Sequence, residues 1–368
     1  MIRVLHVVSA LGSGGVENLL YNYYKHIDTN QITFDFIVHS ENIGVKEREF
    51  MSLGSSVYHV VPKRINPIRN ARKIKEIIKN GGYDIVHAHQ DYMSFIPLLY
   101  AKKYGVHTRI SHSHLAHINN SGSLNNLLVS MFKIINKHYA TDYFACSVDA
   151  SLELFGKKEV DLGKPIVMKN AIDVEQYTFS ESKREQIRKE LGVEEKFVIG
   201  NIGRFTYQKN HTFIIDIFSK VYKKNENSVL LLIGEGEGKQ KIERKVKELG
   251  LEKAVRFLGV RSDIPDLMQA MDVFLFPSNF EGLGIVLIEA QASGLQCIAS
   301  KKVIPKETNI TDFIEYISLE ESSENWANAV LRYGQGYKRK NTSEQIKIAG
   351  YDLLEQSKWL ENYYKTRG

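Results

Sequence analysis

Cysteine and proline are scarce in this 368-residue chain, which has two of the first and seven of the second. Cys146 and Cys297 each sit in an apolar strand-like segment, FAC and CIA. They offer no disulfide framework and read as buried free thiols of a reducing compartment. Seven prolines beside 26 glycines exclude a collagen-like or proline-rich disordered chain. Apolar runs of the ~20 residues that span a bilayer are missing. A signal peptide is not expected either. Arg3 and His6 interrupt the apolar stretch of MIRVLHVVSALGSGG, and no continuous h-region leads to a small-residue cleavage site. That stretch reads as a first buried strand, and the expected location is the cytoplasm. A large excess of charge of one sign is missing as well: the net charge of +6 is too mild to point to nucleic acid as a partner. Nothing in the sequence sets an oligomeric state.

The chain is long enough for two domains with sizeable cores. Its 43% apolar and 25% charged residues are ordinary for a globular protein. The positive charge is concentrated at 63–79, KRINPIRNARKIKEIIK, where Glu76 is the one acid. As a helix from about Pro67, this segment is expected to place Ile68, Ile74, Ile77 and Ile78 inward and its basic groups outward. Such a face is either solvated or attracted to anionic lipid headgroups, here those of the inner membrane face.

Short strands alternate with amphipathic helices. Strands are expected over 3–8, 33–38, 56–60, 85–89, 108–112 and 143–147, with helices between them such as 15–26 and 68–79. The alternation predicts an α/β fold with parallel sheets covered by helices on both faces. The rhythm restarts after a last strand at 164–168 and the turn NAID (170–173). A charged helix closing at Gly192 leads into strands over 197–202, 229–233, 255–257, 273–277 and 297–300. The expected domains are 1–172 and 173–345. The last stretch, about 343–364, reads as one helix with more apolar surface than one face needs. Its end, 346–368, is expected to pack back toward the first domain. Ligands of open parallel sheets bind beyond the C-terminal strand edges, so two such domains place the expected site in a cleft between them.

Six loops and strand ends are candidates to carry chemistry. In SALGSGGVENLL, Gly12, Gly14 and Gly15 precede a helix whose free N–H groups suit a phosphate. Glu17 replaces the third glycine of a dinucleotide fingerprint, so a structural turn is the other reading. GEGEGKQ fails as a phosphate loop because Gln240 follows Lys239 where Ser or Thr belongs, and Glu235 and Glu237 repel anions. A structural turn is favoured there. In GNIGRFTYQKNH (200–211), Arg204 and Lys209 could hold a diphosphate from two sides and offset charge on it as it leaves; otherwise they are two surface cations. In FPSNFEGLGIVLIEAQASG (276–294), Glu281 and Glu289 are eight positions apart. Glu289 lies about two turns into an apolar helix, where a carboxylate needs hydrogen-bond donors; a ribose diol is a fitting pair. Free N–H groups at Gly282, Leu283, Gly284 and Ile285 could hold phosphate or sugar oxygens. Finally, IVHAHQ and RISHSHLAH present His87, His89, His112, His114 and His117. These could bind metal, contact a sugar, or simply pack.

The E-x7-E pair, GRFTYQKN at 203–210, VRFLGVRSDIPDLM at 255–268, the NAID turn and the early GGVE loop together resemble retaining glycosyltransferases of the GT-B fold, family four. The resemblance covers nearly the whole chain and is similar to enzymes that assemble bacterial capsule or exopolysaccharide. It implies two Rossmann-like α/β domains with parallel sheets facing an interdomain cleft, the first on the acceptor side and the second binding the nucleotide sugar. It implies that Arg204 and Lys209 bind the donor diphosphate, Glu289 holds the ribose, and Glu281 contacts the transferred sugar with the amides of Gly282 and Leu283. Gly203 ends the strand that carries the cations. Gly259, Val260 and Arg261 would flank the base, and Gly14 and Gly15 would approach donor phosphates or acceptor. His114 best fits the family's cleft histidine, with His112 as the fallback.

The implied reaction moves a hexose from a nucleotide diphosphate sugar, UDP by preference, to a saccharide or lipid-linked saccharide. The configuration is retained by front-side attack. No cofactor is expected, and no metal, since no DxD pair sits in a strand-end loop. One departure stands out. The family's Gly-Gly-x-x-Glu stretch is replaced by ASKKVIPKETNITDF (299–313), where Lys302 or Lys306 are the substitutes on offer. The competing readings are a metal-dependent hydrolase built on the histidines, a GT-B sugar-nucleotide epimerase, and a non-catalytic sugar-binding protein.

Overall fold

The computed structural model describes residues 1–12, 14–115 and 123–368; His117 lies outside them. It divides into two units, Met1–Ile172 with Gly350–Gly368, and Asp173–Ala349.

The first unit is built on seven strands: β1 (Ile2–Val8), β2 (Ile32–Val38), β3 (Val57–His59), β4 (Ile85–Ala88), β5 (Thr108–Ser113), β6 (Asp142–Ala145) and β7 (Pro165–Val167). They form one sheet in the order β3-β2-β1-β4-β5-β6-β7, every pairing parallel. A parallel sheet is covered on both faces, so its central strands read as continuous apolar runs. One face carries Val4, Phe34, Phe36, Ile85 and Ile110 under Leu353, Leu360 and Tyr364 of the terminal helix. The other carries Leu5, Val7, Ile37 and Val86 under Ile74, Ile77, Ile78 and Leu98.

The second unit repeats the plan with β8 (Phe197–Ile202), β9 (Ser228–Ile233), β10 (Val255–Gly259), β11 (Val273–Phe276), β12 (Gln296–Ser300) and β13 (Ile314–Ile317). Their order is β10-β9-β8-β11-β12-β13, again all parallel. β13 has no counterpart in the sequence reading. It is a short edge strand, half-buried at all four positions, so it lacks the apolar run that marks the inner strands.

Two helix expectations are corrected. The helix Pro67–Gly81 starts at the Asn66 cap, whose side chain accepts from Arg69 N, and stops at the left-handed Gly82. Its buried side chains are Asn70, Ile74, Ile77 and Ile78, whereas Ile68 is 73% exposed. At ~100° per residue, Ile68 lies about 120° around the helix from Ile74. Asn70 takes the inward place instead and donates to Val61 O at 2.6 Å. The stretch 343–364 is likewise not one helix but two, Ser343–Ile348 and Leu353–Arg367. Gly350 turns the chain at φ +80°, and Asp352 caps the second helix by accepting from Glu355 N at 2.9 Å. Between them Ile172 and Asp352 form a parallel bridge. Both cysteines are buried thiols, outside any disulfide among the described residues. Among the described residues, no helix is long and apolar enough to cross a membrane.

Candidate functional site

In the second unit, the loops that follow β8 and β11 are tied together. Asn279 N donates to Gln208 O at 2.8 Å, and Asn210 Nδ2 donates to Pro277 O at 3.1 Å. Asn210 adopts φ +54°, a left-handed turn that asparagine tolerates. Gly203 leaves room for the neighbouring lysine: a Cβ on it would stand 3.0 Å from Lys209 Cγ, and that side chain would have to give way. The Lys209 stem therefore passes over Gly203, and Nζ donates to Glu281 Oε1 at 2.7 Å. Nζ also lies 4.7 Å from the Phe276 ring centroid. Gln208 Nε2 donates to the other Glu281 oxygen at 3.2 Å. Glu281 is 5% exposed, and a buried carboxylate persists because both oxygens have donors and one donor is cationic. Arg204, on the same loop, is exposed, and its guanidinium has no partner among the described residues.

Glu289 sits in the helix Ile285–Ala292. Burial pushes its carboxyl up to about 7, opposed by a hydrogen bond from the Tyr177 hydroxyl and by the charge of Lys209. Burial and the Glu289 charge together push the Tyr177 hydroxyl well above its ordinary range. Lys209 thus bears on both carboxylates, and Glu281, Glu289, Lys209 and Tyr177 form one electrostatic group. Ahead of the helix, Gly284 adopts φ +77°. The amides of Gly282, Leu283 and Gly284 have no acceptor among the described residues, and Ile285 N is at the helix start, where no intrahelical acceptor exists. Unfilled N–H groups with the positive end of a helix dipole favour an anion. Thr308 Oγ1 donates to Leu283 O at 2.6 Å. The 299–313 segment therefore braces this loop through Thr308, while Lys302 adopts the left-handed φ +69°.

At the end of β10, Gly259 adopts φ +68° and its carbonyl accepts from Gly234 N at 2.8 Å. Val260 is 64% exposed, and Arg261 Nε donates to Asp263 Oδ1 at 2.7 Å. The GEGEG loop packs on backbone. A Cβ on Gly236 would lie 2.7 Å from both Phe205 N and Phe205 O, Phe205 N donates to Glu235 O at 3.1 Å, and Gly238 N donates to Phe205 O at 2.9 Å. Its glycines serve chain packing.

In the first unit, Gly14 is the N-cap of the helix Gly15–Tyr24, and a Cβ there would collide with the Glu17 carboxylate. Gly12 and Gly15 face open space, which leaves their backbone approachable. The histidines are in one buried group. Register pairs His6 with His87, and alternation places His89, His112 and His114 on the same face. His87 Nδ1 lies 2.7 Å from the Tyr364 hydroxyl and Nε2 lies 3.0 Å from His112 Nδ1. Burial drives His6 and His114 down to about 3 and holds His87, His89 and His112 well below the ordinary histidine range. His112 is fully buried; His114 is partly exposed. His114 N donates to Asp91 Oδ1 at 2.8 Å, and burial raises that carboxyl to about 6. Asp91 itself adopts φ +47°.

Tyr177, Gln208 and Asp91 had no sequence signal as site residues. Tyr177 closes the segment just after the NAID turn and Gln208 lies inside the cation loop, so proximity to those motifs was the one available hint.

The model described as "Glycosyl transferases group 1" matches residues 182–351, and that described as "Glycosyltransferase Family 4" matches residues 13–176. The chain is 31% identical over 368 residues to EpsF of Bacillus subtilis strain 168, a protein provisionally named a glycosyltransferase, covering 98% of this chain and 96% of that one. It is 28% identical over 241 residues to the Escherichia coli UDP-Gal:alpha-D-GlcNAc-diphosphoundecaprenol alpha-1,3-galactosyltransferase, covering 64% of this chain and 62% of that one. Among solved structures, Anabaena Alr3699/HepE in complex with UDP and glucose superposes with a TM-score of 0.81 at 20% identity, covering 100% of both chains.

Proposed function

The chain belongs to glycosyltransferase family 4, of the GT-B fold, and on that premise we propose that it moves a hexose from a UDP-sugar to a saccharide or lipid-linked saccharide during synthesis of a bacterial surface polysaccharide. The hydrolase and epimerase readings are set aside, because the family is one of transferases. UDP as the nucleotide draws support from HepE, whose structure holds UDP and glucose. A lipid-linked acceptor draws support from the diphosphoundecaprenol substrate named for the Escherichia coli relative.

The observation that carries the reading is the group of Lys209, Glu281 and Glu289 beside unfilled amides. In this proposal the amides of Gly282 to Ile285 hold phosphate or sugar oxygens. Arg204, exposed and unpaired, closes on the diphosphate from outside. Lys209 is shared between Glu281 and the leaving phosphate, so that charge developing on the phosphate meets a fixed cation. Glu289 accepts from the ribose diol on one side and from the Tyr177 hydroxyl on the other. Val260 offers an apolar surface to the base. Glu281 is held by Lys209 and Gln208 for contact with the sugar, not for covalent attack. The acceptor hydroxyl attacks on the side the phosphate leaves, the phosphate oxygen takes its proton, and configuration is retained. His114 contacts the transferred sugar. Cations and amides carry the electrostatic work without a metal.

Peripheral contact with an anionic membrane face belongs to the same proposal. Ile65 and Ile68 are 65% and 73% exposed among Arg64, Arg69 and Arg72, a mixture that suits headgroups and acyl boundary together.

The test is UDP release from a panel of UDP-hexoses in EDTA, with saccharide and lipid-linked acceptors. Arg204→Ala and Lys209→Ala should each lower turnover at least about 100-fold, the loss seen when one preorganised donor of this kind is removed. Unchanged turnover in both variants overturns the mechanism.

A further inference from the structure

We propose that His6 and His89 are positioning residues that fix which ring nitrogen of His114 carries its proton, so that His114 presents Nδ1–H, a hydrogen-bond donor, at the partly exposed end of the histidine group. The inference rests on the reading above that His114 faces the transferred sugar.

His6 Nδ1 lies 3.0 Å from His89 Nε2, and His89 Nδ1 lies 3.0 Å from His114 Nε2. The ring planes are inclined by 25° and 28°, so the three rings form a line of two hydrogen bonds. Burial keeps all three neutral at pH 7. A neutral imidazole has one N–H and one bare nitrogen. Both nitrogens of His89 are committed, so the line has two consistent arrangements.

In the first, His6 Nδ1–H donates to His89, His89 Nδ1–H donates to His114 Nε2, and His114 Nδ1–H points outward. In the second, every proton is reversed, and His6 carries its proton on Nε2. That atom is buried with no hydrogen-bond partner among the described residues; the Phe36 ring stacks against His6 at 5.4 Å and 24°. The reversed arrangement strands an N–H donor in an apolar core, whereas the first strands a bare nitrogen. Orphaned buried N–H groups are the rarer defect. The core beneath His6 therefore selects the outward arrangement.

Asp91 accepts from the His114 backbone N–H and so fixes where the ring stands. The neighbouring line from Tyr364 through His87 to His112 behaves differently. Its far end, His112 Nε2, is also buried without a partner among the described residues, so it offers nothing to a ligand and reads as packing. Nitrogens of these rings also gather in two sets of three, His6 with His87 and His89 and His89 with His112 and His114, close enough for a metal ion. In the structure, however, the His6–His89 and His89–His114 nitrogens face each other in pairs. The consequence for transfer is that His114 donates to a sugar hydroxyl oxygen and is not a proton acceptor.

The experiment is imidazole 15N NMR of the full-length, histidine-labelled protein at pH 7 in EDTA, without donor or acceptor. Protonated and bare ring nitrogens resonate far apart, so the tautomer is read directly. The expected spectrum shows His114 mainly as Nδ1–H in the wild type and in His6→Asn, whose amide can still donate to His89. In His6→Met, whose thioether sulfur can accept from His89 Nε2–H but cannot donate, the line reverses and the Nε2–H form of His114 becomes the main one. A wild-type His114 protonated at Nε2 overturns the proposal, and needs no variant to fold. So does an unchanged tautomer in folded His6→Met, or zinc retained one-to-one after dialysis. Because no substrate is present, the expected tautomer in a protein that transfers no sugar refutes the transferase reading alone.

Discussion

Replacing Glu289 by glutamine should stabilise the protein above neutral pH and leave it unchanged in acid. The carboxyl stands at about 7 in the folded chain against 4.5 for the free side chain, with burial the main cause. Between these values the folded state binds more protons than the unfolded one. Stability therefore falls as pH rises from about 4.5 through about 7. A shift of about 2.5 units at ~1.4 kcal/mol each is about 3 kcal/mol. Glutamine carries no charge and escapes that cost, while keeping an acceptor for the Tyr177 hydroxyl. Urea unfolding at pH 4.5 and pH 8.5 reads the effect. The variant and wild type should match at pH 4.5, and the variant should be more stable by up to about 3 kcal/mol at pH 8.5. The same group links to function. A ribose diol donating to the ionised carboxylate favours that form, so nucleotide binding near pH 7 should release protons, seen as a dependence of the calorimetric heat on buffer ionisation enthalpy. A difference between variant and wild type that does not change with pH would refute the argument.

Four further predictions follow from steric and surface features. Gly236→Ala should destabilise by about 1–3 kcal/mol in urea unfolding, because its Cβ meets Phe205 backbone; Lys239→Ala should leave nucleotide affinity unchanged within twofold, since that loop holds no phosphate. Lys302→Gly should stabilise by about 0.5–1 kcal/mol, because a left-handed residue costs ~1–2 kcal/mol and glycine's greater unfolded freedom offsets part of that. Flotation with acidic vesicles at low salt should carry the wild type upward and leave Ile65→Glu/Ile68→Glu behind; wild type that stays at the bottom removes the membrane contact.

The parts of this molecule that were legible in its sequence are those written in short-range pattern. Apolar runs marked twelve of the strands, and the restart of the alternation near the NAID turn marked a second α/β unit. The eight-residue spacing of Glu281 and Glu289 singled out the carboxylates because a charge inside an apolar helix is conspicuous. The parts that were not legible depend on partners distant in the chain. Tyr177 meets Glu289 only because the segment after the NAID turn folds beside the helix Ile285–Ala292. Gln208 gains its meaning from Glu281 across two loops. The alternation of the histidines could be read, but which ring faces which required the register of β1 and β4. Ile68 shows a different limit. Apolar character alone does not set its angle on the helix, and Asn70, a polar residue with a carbonyl to bind, occupies the inward position.

The central claim is that the second unit holds a nucleotide diphosphate through its own cations, amides and Glu289. Calorimetric titration with UDP, GDP and ADP in metal-free buffer, on wild type and Glu289→Ala, tests it most directly. The account predicts saturable binding of UDP in preference to the others, weakened at least tenfold by the substitution. Folded wild-type protein that binds none of the three, or binds UDP equally well without the Glu289 carboxylate, would contradict it.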